Sequence, residues 1–520
     1  MKKSLLIALI AIVFSAITLK AEIISVYNTT DVHGWYFSRA ARWNKENPTR
    51  EIGGFSALSS LLKKEKNPYI LLDSGDMFQG TPEGNFTKGN ASIALMNYLG
   101  YSAVTIGNHE YDYSEDNVKH LVKKANFPFL GANVYYKKNK KNTEYLKPYT
   151  IVEKAGKKIA ILGLAGTHTK QSTLPTYVKH LDFKNEAEEA KKWVKKIIKN
   201  EKPDVIIGLV HFGMAGLTRQ RIDISTWTLP AKSYTYGTLA LTKTAPEMNV
   251  IFGGHNHKAL PKGYYDKASD TLLCESYWSL TDVTKVDLKF DDTTGKFIKA
   301  TASLIPLWID ETGKDKKADK ILKKFTQKVD KKMAQVIGKS NSFLGTSKEG
   351  LDSDIGNWMT DIMRKHFKTD LAFQNTHGIR STMQKGVLTM RDIYQIMPFD
   401  NTLVTLKITG KLLEKLMRDN LKNSYSKMQI SGMQVKFKTN EKNNPTDIEI
   451  YINSKPVKPE DEFTVITNNY LTSGGSGGKA FTLSKDVHDT MIPIRNILIQ
   501  NIRTSGAIER PEGKRIIKID

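Results

Sequence analysis

The chain has 520 residues, more than one hydrophobic core usually covers, so two domains are expected. Its hydrophobic fraction of 40% and charged fraction of 25% are typical of a folded protein and exclude a disordered one. The formal net charge is +24, but the lysines are scattered and no compact basic-aromatic motif accompanies them. This pattern argues against specific nucleic-acid binding and leaves open an attraction to anionic substrates or surfaces.

The first 21 residues are typical of a secretory signal peptide. Lys2 and Lys3 precede an apolar run over residues 5–19, and Ala21 follows it. The run is short for a membrane span, so a retained anchor is only the alternative. We therefore expect a periplasmic or secreted protein with no membrane span after signal removal. The single cysteine, Cys274, excludes an internal disulfide and is expected to be an inert core residue.

Residues 22–305 alternate between strand-like and helix-like runs, which predicts an α/β domain. Helices are expected near residues 54–66, 92–99, 114–124 and 186–199. In such a domain, ligands gather in the crevice outside the strand ends. Catalytic and ligand-binding residues are therefore expected in the loops that follow the strands.

Five strand-like runs in this region end in polar side chains. The side chains at these ends are Asp31 and His33; Asp73 and Asp76; Asn108, His109 and Asp112; His211; and His255 and His257. Such carboxylates, amides and imidazoles suit Zn, Mn, Fe or Co better than calcium. Two of the carboxylates, the amide and four of the imidazoles make seven candidate ligands, which suit two ions better than one. A bridging carboxylate would hold the two ions about 3.5 to 4 Å apart, as in displacement at phosphorus. Asp73 fits a structural role better than a ligand role, and five histidines match no ligand spacing and are expected to be ordinary: His120, His168, His180, His366 and His488.

Residues 306–340 are predicted to be a linker that contains an amphipathic helix. Its apolar stripe recurs at spacings of three and four, at Leu322, Phe325, Val329, Met333 and Val336. Such a helix either joins two domains or packs on one domain alone. Residues 341–520 then predict a smaller α+β unit, with a helix near 354–367, a strand at 370–373 and a glycine-rich loop at 473–478.

Five segments carry a family resemblance. They are Asp31-Val32-His33-Gly34, Gly75-Asp76, Gly107-Asn108-His109-Glu110, His211 and Gly254-His255-Asn256-His257. In order and spacing they resemble the calcineurin-like metallophosphoesterases. The longer phrases at 28–34, 76–82 and 107–112 are similar to the two-domain 5′-nucleotidase family, which includes periplasmic UDP-sugar hydrolases. The resemblance implies an N-terminal four-layer α/β-sandwich metallophosphoesterase domain, joined by the helical linker to the C-terminal α+β substrate-binding domain.

The resemblance also implies a site with two divalent ions, drawn from Zn, Mn, Co or Fe. One ion would be held by Asp31, His33, Asp76 and His257, and the other by Asp76, Asn108, His211 and His255. His109 and Asp112 would form the catalytic dyad, in which a carboxylate holds an imidazolium against the transition-state charge. In the substrate domain, the segment of Asn375, Gly378 and Arg380 would contact phosphate, Phe399 would stack on the base, and Asn401 would add a polar contact.

The late glycine-rich loop departs from the family pattern. The family carries Gly-Gly-Asp-Gly and an aromatic residue there, whereas this chain has Gly474-Gly475-Ser476-Gly477-Gly478. The ribose-binding carboxylate and the second stacking ring are missing at those positions, and Phe481 is the candidate replacement ring. Leu351 likewise stands where the family has an arginine. The hydrolytic centre is therefore better supported than nucleoside specificity.

The sequence as a whole indicates an exported two-metal phosphohydrolase. We expect it to hydrolyse nucleoside 5′-monophosphates to nucleoside and phosphate, with UDP-sugars as further substrates, by attack of a metal-bound hydroxide on phosphorus. One alternative is the same metal centre acting on a 2′,3′-cyclic nucleotide, a sugar phosphate or a thiosulfate ester. A second alternative is a basic surface-binding protein without relevant catalysis. Metal identity, preferred base and oligomeric state stay open.

Overall fold

The structure is a computed structural model that describes residues 22–214, 221–346 and 351–519. The predicted signal peptide at residues 1–21 lies outside these ranges. Within them, no helix combines the length and the apolar character needed to cross a membrane. Cys274 is a free cysteine buried in a strand, as expected for a core residue.

The N-terminal domain contains two six-stranded sheets. The first has the order Phe297–Pro306, Asp282–Phe290, Ile23–Thr29, Tyr69–Asp73, Ala103–Thr105 and Phe129–Leu130, and its last four strands are parallel. The second has the order Tyr264–Asp266, Thr271–Glu275, Val250–Gly253, Val205–Val210, Lys157–Leu164 and Tyr149–Lys154, and its four central strands are parallel. The strands that carry the predicted ligands therefore all belong to parallel pairs, with their carboxyl ends on one edge.

The two sheets pack face to face and are covered by helices on their outer sides. Ile24, Val26 and Leu72 of the first sheet share one apolar cluster with Ile207 and Phe252 of the second. The helices outside the first sheet are Phe55–Leu62, Pro82–Thr87, Asn90–Leu99 and Ser114–Lys124. Those on the side of the second sheet include Glu186–Glu201 and Gly237–Thr244. Two short helices lie at Thr169–Ser172 and Pro175–Val178, and Val178 packs in the apolar cluster of the helices outside the first sheet. The α/β class and its four layers, predicted from the sequence, are confirmed.

A long helix, Lys316–Met333, runs from one domain core to the other. Its first turn is capped by Asp315, whose carboxylate also accepts hydrogen bonds from Ser59 and Tyr98 of the N-terminal domain. Leu322 packs in the N-terminal core, whereas Val329 and Met333 pack in the C-terminal core. The helix therefore serves both domains, and the alternative of packing on one domain is wrong.

The predicted apolar stripe of this helix is wrong at two positions. Phe325 is 36% exposed, and Val336 lies in the strand Val336–Ser340 and is 65% exposed. Ala318 and Thr326 take the buried positions instead. At Val336 the reason is that the helix ends at Met333, so a spacing of three residues no longer places Val336 on a helix face.

The C-terminal domain is the predicted α+β unit. Its central sheet has the order Met428–Ser431, Leu371–Asn375, Glu462–Asn468, Thr402–Thr409 and Lys485–Pro493. A four-stranded sheet consists of Lys455–Pro456, Pro445–Ile452, Gln434–Thr439 and Ile516–Lys518, and a three-stranded one of Gly386–Thr389, Val336–Ser340 and Ala507–Ile508. The helices include Asp354–Phe367, Met390–Ile396, Gly410–Asn420, Asn469–Thr472 and Ile494–Ser505.

Direct hydrogen bonds hold the segment around Pro398 against the N-terminal domain. The Asn85 side-chain amide donates to the Pro398 carbonyl over 2.6 Å, and the Gln79 amide reaches the same oxygen over 3.4 Å. Nearby, Arg391 forms ion pairs with buried Glu83 and with Asp330. These contacts place the C-terminal domain directly over the ends of the ligand-bearing strands.

Candidate active site

The predicted ligands lie on backbone turns that ordinary residues rarely adopt. Five of them have positive φ angles: Asp31 at 51°, His33 at 49°, Asp76 at 60°, His255 at 73° and His257 at 55°. Non-glycine residues in this region are uncommon, and such strain concentrates at functional sites. The loops are also tied together, because the backbone N–H of Asp31 donates to the Gly75 carbonyl and that of His33 to the Asp76 carbonyl.

One cluster of donor atoms forms between Asp31, His33 and His257. The Nε2 atoms of the two histidines are 2.9 Å apart, and Asp31 Oδ1 lies 3.7 Å from His33 Nε2 and 3.4 Å from His257 Nε2. One ligand atom from each residue lies within 4.8 Å of the others. This is the spacing of groups that share a metal ion, and all three were predicted to share one.

A second cluster joins Asp76, Asn108 and His211. His211 Nε2 lies 3.1 Å from Asp76 Oδ2 and 3.2 Å from Asn108 Oδ1. The same Asp76 Oδ2 atom is 4.0 Å from His33 Nε2 in the first cluster. Asp76 therefore stands between the two groups of donors, where the sequence places the bridging carboxylate.

The outer nitrogens of two histidines fix their orientation. Nδ1 of His33 lies 2.8 Å from the Gln79 carbonyl, and Nδ1 of His211 lies 2.6 Å from the Ser74 carbonyl. A carbonyl partner requires Nδ1 to carry the proton, which leaves the Nε2 lone pair facing the cluster. The donor set therefore fits divalent metal ions.

Burial and neighbouring charges shift the pKa values in opposite directions. Burial of Asp76 opposes its ionisation, but His211 and His109 outweigh this and hold the pKa of Asp76 well below its usual range. For His211, burial opposes protonation, and Asp76 outweighs it and raises the pKa to about 10. Metal binding needs the neutral imidazole, so an ion at this place displaces the His211 proton.

Glu110 was missed as a site residue by the sequence analysis. It is fully buried, and its carboxylate accepts backbone N–H bonds from Gly107 (2.8 Å), Asp76 (3.0 Å) and Met77 (2.9 Å). Burial, followed by the charge of Asp76, raises the pKa of Glu110 to about 7. The carboxylate thus clamps two ligand loops together. Its sequence signal was an acidic residue directly after the Asn108-His109 pair.

The predicted dyad is present as a close pair. His109 Nδ1 lies 2.6 Å from Asp112 Oδ2, and Thr173 donates to the other oxygen of Asp112 over 2.7 Å. Burial opposes protonation of His109, but Asp112 and Asp76 outweigh it, so the pKa of His109 is raised. The ring of Phe399 stacks on His109 with centroids 5.7 Å apart. The imidazole is thereby held between both domains.

His168, expected to be ordinary, lies against the second cluster. Its ring stacks on that of His255 with centroids 3.6 Å apart. Burial and the neighbouring His211 lower the pKa of His168 to about 3. No spacing motif marks it, but it follows a strand that is the parallel neighbour of the strand ending at His211. By contrast, His120 hydrogen-bonds to Asn90 outside the cluster.

One cavity of about 540 Å³ joins the site to the C-terminal domain, which is within the usual range for small-molecule sites. Its N-terminal wall includes Asp76, Asn108, His109, Asp112, His255 and His257. Its C-terminal wall includes four predicted residues, Asn375, Arg380, Phe399 and Asn401, together with Tyr470 and Ser476. Predicted metal-binding, catalytic and substrate-binding residues therefore face one space.

Gly378 is the predicted substrate contact that does not line this cavity. A Cβ atom at this position would lie 2.5 Å from Gln374 Nε2 and 2.8 Å from Asn375 Nδ2. The glycine therefore makes room for Asn375, whose Oδ1 atom also accepts a hydrogen bond from Asn468 over 3.1 Å. Its effect on the cavity is indirect.

Arg380 brings a cation into the cavity. Among the described residues, no carboxylate lies within salt-bridge distance of it, although Asp76, Asp31 and Asp112 act on it at longer range. Burial lowers its pKa, and these three carboxylates oppose that shift. Its guanidinium lies 6.0 Å from the centre of the Phe399 ring. A cation of this kind is available to an anionic ligand.

The proposed replacement ring, Phe481, is wrong. Phe481 is 1% exposed and packs edge-to-face on Phe373 in the domain core. Tyr470 faces the cavity instead, six residues before Ser476. Its hydroxyl donates to the Gln171 carbonyl of the N-terminal domain and accepts the Ser476 backbone N–H over 2.9 Å. The aromatic ring at the cavity therefore comes before the glycine-rich loop, whereas the family pattern predicts one after it.

Comparison with known families gives two matches along the chain. The calcineurin-like phosphoesterase family matches residues 24–259, and the 5′-nucleotidase C-terminal domain matches residues 335–483. The family predicted from the sequence motifs is thereby confirmed.

Three similar proteins cover nearly the whole chain. The trifunctional nucleotide phosphoesterase protein YfkN of Bacillus subtilis is 26% identical over 95% of this chain, which spans only 35% of that relative. Protein UshA of Yersinia enterocolitica is 25% identical over 95% of this chain and 94% of its own length. The crystal structure of a 5′-nucleotidase precursor from Thermus thermophilus has a TM-score of 0.82 at 22% identity, and covers 96% of this chain and 99% of that one. At that identity the structure supports the fold alone.

Proposed function

We propose that this chain hydrolyses nucleoside 5′-monophosphates. The chain belongs to the family that joins a calcineurin-like phosphoesterase domain to a 5′-nucleotidase C-terminal domain, and it is a metal-dependent phosphoric ester hydrolase. One observation carries the proposal. A single cavity has the donor clusters and the His109–Asp112 pair on one wall, and Arg380 with two aromatic rings on the other. These are the groups that a phosphate ester of a nucleoside requires.

The donor residues fit two divalent ions. Asp31, His33 and His257 would hold one, Asn108, His211 and His255 the other, and Asp76 both. When bound, such ions neutralise phosphate charge and lower the pKa of a water nucleophile. Backbone hydrogen bonds to the ligand loops keep the donors in place, so little reorganisation is needed during the reaction.

His109 is proposed to act on the departing oxygen. Asp112 favours the protonated imidazole, which places a hydrogen-bond donor and a positive charge at the mouth of the cavity. A fixed cation there stabilises negative charge that develops on a phosphoryl or alkoxide oxygen, and it can give its proton to the leaving group. Thr173 keeps Asp112 in the orientation that His109 needs.

The C-terminal wall is proposed to bind the rest of the substrate. Arg380 offers a planar fork to phosphate oxygens. Phe399 and Tyr470 offer faces on which a base stacks, at about 1 to 3 kcal/mol per base. Asn375 and Asn401 add polar contacts along the same wall. The domain division at residues 22–305, 306–340 and 341–520 is part of this proposal, as are export through residues 1–21 and a periplasmic or secreted location.

A second candidate keeps the metal centre and changes the ester. Ser476 lines the cavity where the family pattern has a carboxylate, which removes one contact for ribose. 2′,3′-cyclic nucleotides, sugar phosphates or thiosulfate esters are therefore alternative substrates, whereas UDP-sugars belong with the 5′-monophosphates as further substrates of the first proposal. The interpretation as a basic surface protein without catalysis is set aside, because both family matches are to parts of hydrolases.

The test is phosphate release by the purified mature protein from a panel of esters. The panel contains AMP, UMP, UDP-glucose, 2′,3′-cyclic AMP and 4-nitrophenyl phosphate, each with Mn, Co or Zn and with chelator. We expect fastest release from the 5′-monophosphates and none with chelator. Preference for another ester would overturn the substrate assignment and leave the metal centre. Absence of turnover with every metal would overturn both.

A further inference from the structure

His168 lies at the sheet edge that delivers two of the proposed metal ligands. It follows the strand Lys157–Leu164, whose neighbour Val205–Val210 runs parallel to it and is followed directly by His211. The next parallel strand of the same sheet leads to His255. Three adjacent strands therefore each bring one imidazole to their carboxyl ends, where ligands gather in sheets of this kind.

The three imidazoles are close enough to share an ion. One ring nitrogen from each of His168, His211 and His255 lies within 4.8 Å of the other two. The His168 and His255 rings stack with centroids 3.6 Å apart and planes 23° apart. Two nitrogens bound to one ion at about 2.1 Å are separated by at most about 4.2 Å. Because an imidazole nitrogen binds an ion in the plane of its ring, His168 reaches the shared ion by turning out of its stack on His255.

The Nε2 atom of His168 is a buried nitrogen whose hydrogen-bonding capacity is unused among the described residues. Buried polar atoms in folded proteins nearly always have a partner, and an exception indicates a group that binds something else. A nitrogen beside His211 and His255, on the wall of a metal centre, has a metal ion as the natural partner.

The chain is shaped to hold the His168 ring in this place. A Cβ atom at Gly166 would lie 2.0 Å from Cε1 of His168, so only glycine leaves room for the ring. The His168 carbonyl accepts hydrogen bonds from the backbone N–H of Gln171 and Ser172. The Ser172 carbonyl in turn accepts a bond from the side-chain amide of Asn108 over 3.2 Å. One short segment thus positions both His168 and a proposed ligand.

We propose that His168 is a further nitrogen ligand of the ion held by His211 and His255. The ion then has three imidazoles in addition to Asn108 and Asp76. A third imidazole favours borderline ions such as Zn and Co over Mg and Mn, which prefer oxygen. The inference rests on the metal centre of the proposed function and is independent of the substrate.

The test compares cobalt binding by the wild-type mature chain and three variants. His168→Phe keeps an aromatic ring on His255 but removes the nitrogen, and His168→Ala removes both. His120→Ala is the matched control, since His120 contacts Asn90 away from the centre. Each form is stripped of metal, titrated with Co²⁺ and followed by visible absorption and by competition with a chelator.

We expect both His168 variants to bind the second cobalt at least about tenfold more weakly, with a changed absorption band, while His120→Ala matches the wild type. Wild-type affinity and spectrum in His168→Phe would overturn the proposal. Weaker binding with an unchanged spectrum would also overturn it, because His168 would then only support His255. Failure of the nucleotidase proposal looks different: cobalt binding follows the expectation while AMP is not hydrolysed.

Discussion

The two walls of the cavity differ in how their polar groups are held. On the N-terminal wall, Asp76 is fixed by the clamp of Glu110, and the outer nitrogen of His211 is fixed by a backbone carbonyl. On the C-terminal wall, Arg380 has no carboxylate partner within salt-bridge distance among the described residues, and Tyr470 is fixed through contacts with the other domain. The first wall is preorganised for chemistry within one domain, whereas the second depends on how the domains meet.

This difference indicates that the reaction depends on the N-terminal wall, whereas substrate specificity depends on the C-terminal wall. The donor clusters need their loops paired to one another, so each ligand is constrained by several backbone contacts. The substrate wall needs only a cation, ring faces and a few amides, which many sequences supply. Substitutions on the first wall should therefore abolish turnover, and those on the second should change which ester is preferred.

The largest effect is expected for His109→Ala. Loss of the imidazole removes the charged donor at the departing oxygen, so kcat for AMP should fall about 10²- to 10⁴-fold. Metal content, measured by mass spectrometry, should match the wild type because His109 is outside the proposed ligand set. Near wild-type turnover with both metals bound would exclude the dyad.

A smaller effect is expected for Arg380→Ala on the opposite wall. Hydrogen bonds to a charged group contribute about 1.5 to 3 kcal/mol, so kcat/KM for AMP should fall roughly 10- to 150-fold. Arg380→Lys should recover only part of this, because lysine keeps the charge but lacks the planar fork. Arg503→Ala, on the exposed side of the helix Ile494–Ser505, is the control. Equal kinetics of Arg380→Ala and this control would remove Arg380 from the phosphate site.

The smallest effect is expected for Thr173→Val. The change keeps the side-chain shape and removes the hydrogen bond to the Asp112 carboxylate. Because His109 still holds the other oxygen of Asp112, only part of the bond energy, about 1 kcal/mol, should reach the transition state, so kcat should fall about fivefold. Thr173→Ser keeps a hydroxyl and should stay close to the wild type. A loss in Thr173→Ser as large as in Thr173→Val would show that the methyl group, and not the hydrogen bond, matters.

The sequence predicted the N-terminal wall better than the C-terminal wall for a physical reason. A buried parallel strand followed by Asp, Asn or His is visible as a local pattern, and the parallel sheets bring all such ends to one edge. His168 was not predicted as a site residue because its strand ends four residues before it, at Leu164, and a short turn lies between. Glu110 was not predicted as a site residue because its carboxylate contacts the backbone N–H groups of residues 76, 77 and 107, and no side-chain pattern marks such contacts.

The substrate-binding residues of the C-terminal wall were harder to predict from the sequence, because their roles depend on tertiary packing. Phe481 and Tyr470 are both aromatic residues beside one glycine-rich loop, and only the packing decides that the first enters the core and the second faces the cavity. Gly378 likewise acts through the space it leaves for Asn375. The linker helix shows the same limit, since the sequence left open whether it joins two domains or packs on one, and only the packing shows that both cores share it.

The most direct test of the separation between the walls uses Tyr470→Ala with two substrates. Loss of one stacking ring should lower kcat/KM for AMP about 5- to 150-fold, while 4-nitrophenyl phosphate, which has no base, is hydrolysed as by the wild type. Tyr470→Phe keeps the ring but loses the hydroxyl contacts with Gln171 and Ser476, so its kcat/KM with AMP should lie between those of Tyr470→Ala and the wild type. An equal loss with both substrates in Tyr470→Ala would contradict the account, because the C-terminal wall would then serve the chemistry itself.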